Sequence, residues 1–137
     1  MLPGCRSNRG LVMGLDERTL FVNATRDNSV WRVPMTFDGD PFKVGAFIRL
    51  SGGIEPDGLA IDEAGHLAVA HYGLGVVWLS SPTGEPIARI QSCAGLATTN
   101  LAYGGAGRRS LYITEADSEQ ILVADLEVPG RVMFSHS

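Results

Sequence analysis

Short apolar runs, each broken by a polar turn, follow one another along the whole chain. Thr19-Leu-Phe-Val-Asn, His66-Leu-Ala-Val-Ala and Ser110-Leu-Tyr-Ile-Thr are the clearest, and their leucines, Leu20, Leu67 and Leu111, lie 47 and 44 residues apart. Eleven residues after each leucine stands a second marker, Trp31, Trp78 or Leu122, which therefore recurs at the same two spacings. An earlier run carries Leu11, Leu59 and Leu101, at spacings of 48 and 42. Runs of this length, separated by Gly, Asp, Asn and Pro, read as the strands of antiparallel meanders.

Each unit follows one grammar. The first strand begins near Gly10, Gly58 or Asn100. Polar turns at Asp16-Glu-Arg, Glu63-Ala-Gly and Gly107-Arg-Arg lead to the second, and turns such as Arg26-Asp-Asn and Asp117-Ser-Glu lead to the third. Asp38-Gly39, Thr83-Gly84 and Pro129-Gly130 precede a fourth strand, expected over Lys43 to Leu50, Glu85 to Gln91 and Arg131 to His136. Four strands in a repeat of roughly 45 residues form the blade of a β-propeller. The predicted fold is all-β: a half-propeller of three four-stranded blades, at about 9–50, 56–92 and 98–137. Little or no helix is expected, because no segment holds a helical period with caps. A generic β-sandwich is the competing reading, and three matched units at shared spacings speak against it.

Composition narrows the picture. The chain has 137 residues, 45% hydrophobic and 19% charged, which is enough apolar material for one domain with a real core. Its 17 glycines suit a fold with many tight turns. The net charge of -4, with Lys43 the only lysine, argues against a nucleic-acid surface. No apolar run approaches the roughly 20 residues of a membrane span, and the opening lacks the apolar stretch of a signal peptide, so a cytoplasmic protein is expected. Cys5 and Cys93 match no metal or redox spacing and read as unpaired thiols. There is no Gly-x-Ser-x-Gly elbow and no His-Glu-x-x-His motif, and Gly73-Leu-Gly75 reads as a hairpin turn rather than a phosphate loop.

Three blades leave two terminal faces open, and the apolar patterning of the strands makes those faces apolar. Closure is what hides blade edges in natural propellers. A homodimer, in which two chains build one six-bladed ring about a two-fold axis, is the simplest expected remedy. A missing half supplied from elsewhere is the alternative.

The stretch from Glu55-Pro-Asp-Gly-Leu-Ala-Ile-Asp to Val76-Val-Trp resembles the SMP-30/gluconolactonase/LRE-like family, as does its continuation Gly84-Glu-Pro-Ile-Ala-Arg-Ile. Thr98-Thr-Asn-Leu-Ala-Tyr-Gly-Gly, Ser110-Leu-Tyr-Ile-Thr-Glu-Ala and Asp16-Glu-Arg-Thr-Leu-Phe-Val resemble it too, so the likeness runs from about Arg9 to the end. The resemblance implies the C-terminal half of a six-bladed propeller and a lactone hydrolase holding a divalent cation, calcium or zinc, in its channel. It implies three ligands: an N-terminal Glu, an Asn just before Gly-Leu, and the Asp of Pro-Asp-Gly. The Asp is Asp57; the residue before Gly10-Leu11 is Arg9, with Asn8 shifted by one; the Glu falls in the half this chain does not match.

Asp57 is thus the expected metal ligand and catalytic carboxylate, placed to take the proton of an attacking water. Arg9 carries a permanent charge that repels a metal ion; it can pair with Asp57 instead, or bind an anionic substrate. His71 and Asn100 are further substrate-binding candidates. Their plainer readings are a packed histidine with a backbone hydrogen bond and an asparagine satisfying backbone. Glu115 and Asn23 sit at strand ends near the places equivalent to His71, and Trp31 and Trp78 read as blade packing. The expected ligand is a small lactone or sugar acid. A non-catalytic propeller module that has lost the metal site is the alternative function.

Overall fold

The computed structural model describes residues 9–133. Eleven strands follow in chain order: β1 (Leu11–Met13), β2 (Thr19–Ala24), β3 (Ser29–Pro34), β4 (Gly45–Arg49), β5 (Glu55–Ile61), β6 (Leu67–Tyr72), β7 (Val76–Ser80), β8 (Pro86–Gln91), β9 (Thr98–Gly104), β10 (Ser110–Glu115) and β11 (Gln120–Asp125). They form three antiparallel sheets, β1-β2-β3-β4, β5-β6-β7-β8 and β9-β10-β11. Two 3₁₀ turns, Thr25–Asp27 and Ala106–Arg108, are the only helical segments among the described residues. No helix among these residues is long and apolar enough to cross a membrane.

The markers of the sequence fall at equivalent places. Leu20, Leu67 and Leu111 lie in the second strands, and Trp31, Trp78 and Leu122 lie in the third. Side chains alternate across a strand, so each second strand serves two interfaces. In β6, Leu67 and Val69 join Val30 and Leu59 between the first two sheets. Ala68 and Ala70 of the same strand turn the other way, against Leu101, Leu111 and Ile113 of the third sheet. Small alanines on one side accept large residues from the other, which is how blades pack to interior density.

The fourth strand expected at Arg131 to His136 does not form over the described part of that range. After β11 the chain leaves the third sheet and runs beneath the second. Gly130 bridges to Asp62, and the Arg131 amide donates to the Ile61 carbonyl. Gly130 lies so close to the Tyr103 ring that no side chain fits there. The Arg131 guanidinium donates to the Met13 and Gly14 carbonyls, both at 2.9 Å, and pairs with Glu17 at 3.0 Å. These long-range partners outcompete pairing with β11. Residues 134–136 of the expected strand lie outside the described residues, as do Asn8 and Cys5; Cys93 is an exposed free thiol.

Consequently β11 is hydrogen-bonded on one edge only, among the described residues. Its outward face is apolar: Ile121 is 68% exposed and Val123 56%, beside Tyr112 on β10. Leu11 on β1, 66% exposed, borders a cavity with Leu59 of β5 and Leu101 of β9.

Candidate functional site

The first strands of the three sheets lie side by side and form one wall. Their starting ends bring together Arg9 and Gly10, Asp57 and Gly58, and Asn100. Two glycines set the spacing. A side chain at Gly10 would strike the Asp57 carbonyl oxygen. A Cβ at Gly58 would lie 2.7 Å from the Asn100 Cα. Asn23 locks the first contact: its amide N–H donates to the Gly10 carbonyl at 3.0 Å, and its side-chain Nδ2 donates to the Asp57 carbonyl. Asn23 is fully buried, and its Oδ1 has no partner.

Asp57 occupies an irregularity in the pairing of β5 with β6, between Pro56 and Leu59. A bulge frees a residue from the strict alternation of the ladder and re-aims its side chain. Burial pushes the Asp57 carboxyl above its usual range; the Arg9 guanidinium pulls it back, and Glu55 adds to the rise. The carboxylate is therefore held near two charges of opposite sign.

Arg9 does not take Asp57 as its ion-pair partner. Its Nη1 lies 3.0 Å from Glu55 Oε1. The Arg9 side chain is 56% exposed and Glu55 only 18%, so the arginine leans from the rim over a half-buried acid. Glu55 was not singled out by the motif, although it stands two residues before Asp57. Arg9 thus pairs with Glu55 and acts on Asp57 through its charge.

Asn100 is exposed and abuts Gly58, beside Asp57. Its Oδ1 accepts from the Leu101 amide at 2.9 Å, and its own amide donates to Thr114 Oγ1 at 2.9 Å. His71 is elsewhere. It is fully buried on β6, where Nδ1 accepts from Trp78 Nε1 at 3.1 Å. Nε2 must then carry the proton, which it donates to the Gly52 carbonyl at 3.0 Å. Both ring nitrogens are engaged within the fold. Burial lowers the pKa of His71, with the Gly52 bond opposing it.

Glu115 does for the third sheet what His71 does for the second, tying the strand end to the loop that enters its own sheet. Its carboxylate accepts from the amides of Gly95, Ala97, Asp117 and Ser118 and from the Ser118 hydroxyl. The Ser118 hydroxyl, with the backbone donors, holds its pKa down at about 2 from 4.5. Both groups bind protons less readily folded than unfolded, so the stability each contributes is lost as the pH falls. Thermal unfolding across pH should show a first loss below 6.5, where unfolded His71 begins to take up a proton that the folded state refuses. A second loss should run from about 4.5 down to about 2 as Glu115 becomes protonated. Glu115→Gln should lower the melting temperature at neutral pH and remove the second loss; an unchanged acid profile would contradict this assignment. Asp57, whose pKa is raised, works in the opposite sense and offsets part of the second loss.

The resemblance implies a divalent cation, and the residues at hand can be weighed against it. No group of three or more His, Cys, Asp or Glu among the described residues could hold a metal ion. Asp57 is one carboxylate, Glu55 is engaged by Arg9, Asn100 Oδ1 accepts from backbone, and Asn23 Oδ1 is a single neutral oxygen. Calcium takes six to eight oxygens and structural zinc four ligands, so the described donor set does not fit either.

Comparison with known proteins places this geometry. A 6-deoxy-6-sulfogluconolactonase of Pseudomonas putida is 35% identical over 115 residues, covering 80% of this chain and 38% of that protein. Lactonase drp35 of Staphylococcus saprophyticus is 34% identical over 84 residues, 59% of this chain and 26% of the relative. Among solved structures, the calcium-binding protein regucalcin of Agrobacterium tumefaciens superposes with a TM-score of 0.78 at 28% identity, over 90% of this chain and 47% of that one. A luciferin-regenerating enzyme shares the fold, with a TM-score of 0.80 at 20% identity. The chain thus spans less than half the length of these relatives, which are six-bladed propellers where solved. The model of the SMP-30/gluconolactonase/LRE-like region matches residues 3–117, and the chain belongs to that family.

Proposed function

We propose that this chain forms half of a lactone-hydrolysing propeller, with Asp57 as the carboxylate that activates water at the channel mouth. The observation that carries the reading is the placement of Asp57: in a bulge at the start of an inner strand, half-buried, in a family whose named relatives are lactonases. A carboxylate whose proton affinity is raised by burial is a stronger base toward water. Asp57 takes the proton as water adds to the lactone carbonyl. Collapse of the adduct breaks the ring C–O bond, the proton goes to the leaving alkoxide, and a hydroxy acid results. Asn100 and Arg9 border the same opening and are the groups that would hold the ring hydroxyls and the carbonyl; His71 has no free nitrogen for either task.

The three groups at the mouth, Arg9, Glu55 and Asp57, sum to one negative charge. That balance favours an uncharged aldonolactone over a sulfonated one of the kind named for the Pseudomonas relative. Closure of the channel needs a second half. A second copy of this chain is the occupant that fits, since each copy spans 41–47% of neighbours such as regucalcin and leaves Ile121 and Val123 exposed on the edge strand β11, unpaired on its outer side among the described residues. Acid release from glucono-lactone and its 6-sulfo analogue, followed with a pH indicator, tests the reading. Hydrolysis above the buffer rate, faster on the uncharged lactone and lost in Asp57→Asn, is expected. Rates equal to buffer at every chain concentration would overturn it.

A further inference from the structure

The donor set described above does not fit a metal ion, and the site carries one fixed positive charge of its own, on Arg9. We propose that Arg9, fixed by Glu55, is the built-in cation of this site, and that Asp57 stands beside it with no divalent ion bound. The inference rests on Asp57 being the working carboxylate of the mouth.

Three features support it. Arg9 immediately precedes Gly10, the position at which the family resemblance implies a metal-ligating asparagine. Gly10 is fixed in place: its carbonyl accepts from the Asn23 amide at 3.0 Å, and it packs so close to Asp57 that an added Cβ would strike the Asp57 carbonyl oxygen. The backbone that carries Arg9 is therefore pinned at the mouth. The guanidinium is held too, 3.0 Å from Glu55, whose side chain is only 18% exposed. An acid that would otherwise add a second ligand beside Asp57 is instead consumed by the arginine. A divalent ion entering here would meet a permanent positive charge that no accessible pH removes. It would also have to break the Arg9–Glu55 pair to gain a second carboxylate. A second copy closing the ring brings a second Arg9 with its second Asp57, so assembly leaves this balance unchanged.

Direct metal binding tests the inference without reference to activity. Calcium and zinc are titrated to millimolar concentration against the chelator-treated full chain, with equilibrium dialysis and thermal melting as readouts. Wild type should bind neither ion saturably, and its melting temperature should stay constant. Arg9→Asn, which restores an oxygen ligand and frees Glu55, should bind at least one ion more than about tenfold more tightly than wild type, since that removes one repulsive unit charge at close range. Arg9→Gln serves as a second variant should the first fold poorly. Saturable binding to wild type that Asp57→Asn abolishes would overturn the proposal, as would failure of both folded Arg9 variants to gain any binding. Absence of lactone hydrolysis would sink the proposed activity and leave these binding results standing, so the two failures are distinguishable.

Discussion

Exchange of Asp57 for asparagine is expected to lower kcat/KM for lactone hydrolysis by about 10²–10⁴-fold, the usual contribution of a positioned general base. This corresponds to about 3–5 kcal/mol of transition-state stabilisation. Asparagine keeps the size of the side chain and cannot accept a proton from water. The main-chain contact that anchors the site, from Asn23 Nδ2 to the Asp57 carbonyl, does not involve the altered group. The loss should therefore appear in kcat with KM little changed, and circular dichroism and solution mass should match wild type. A variant with wild-type kcat would remove Asp57 from the chemistry.

Leu111→Ala is expected to destabilise the fold by about 2–5 kcal/mol, read from the urea midpoint at fixed chain concentration. Leu111 is 0% exposed and sits in the cluster that joins the second and third sheets. The second sheet contributes Ala60, Ala68, Ala70, Val77 and Leu79 to that cluster, and the methyl groups of its three alanines cannot swell into the space a lost isobutyl group would leave. The cavity would persist, and it is the persistence of the cavity that makes such substitutions costly. Ile87→Ala, on β8 of the second sheet where the side chain is 50% exposed, should cost the fold far less. Comparable costs at both positions would mean that the packing described here is not what holds the blades together.

Much of the architecture was legible because the repeat is local. Leu20, Leu67 and Leu111 share one place in the blade, so their spacing alone put the second strands in register. The fourth strand of the third blade failed for the opposite reason. Arg131 to Met133 look strand-like by themselves, but the partners of Arg131, which are Ile61, Met13 and Gly14, are distant in sequence and belong to other blades. No local pattern carries that information.

The site divides the same way. Asp57 is legible through the family resemblance alone, as the Asp of Pro56-Asp57-Gly58. The sequence shows the charge of Arg9 and leaves its partner open between Asp57 and an anionic substrate; the ion pair with Glu55 is a contact between two chain segments more than 40 residues apart, which no periodicity records. The plainer reading of His71, a packed ring held by hydrogen bonds, needed Trp78 to complete it: the two are diagonal neighbours across β6 and β7, a relation fixed only once Val69 is known to face Trp78.

In the proposed mechanism, activity requires closure of the half-ring by a second copy. Light scattering on fractions from a size-exclusion column, with lactone hydrolysis assayed on the same fractions, tests this requirement most directly. The mechanism predicts that activity travels with a species of twice the chain mass, and that the rate per chain falls on dilution as that species dissociates. A folded species of single-chain mass, hydrolysing lactone at an undiminished rate per chain, would contradict it.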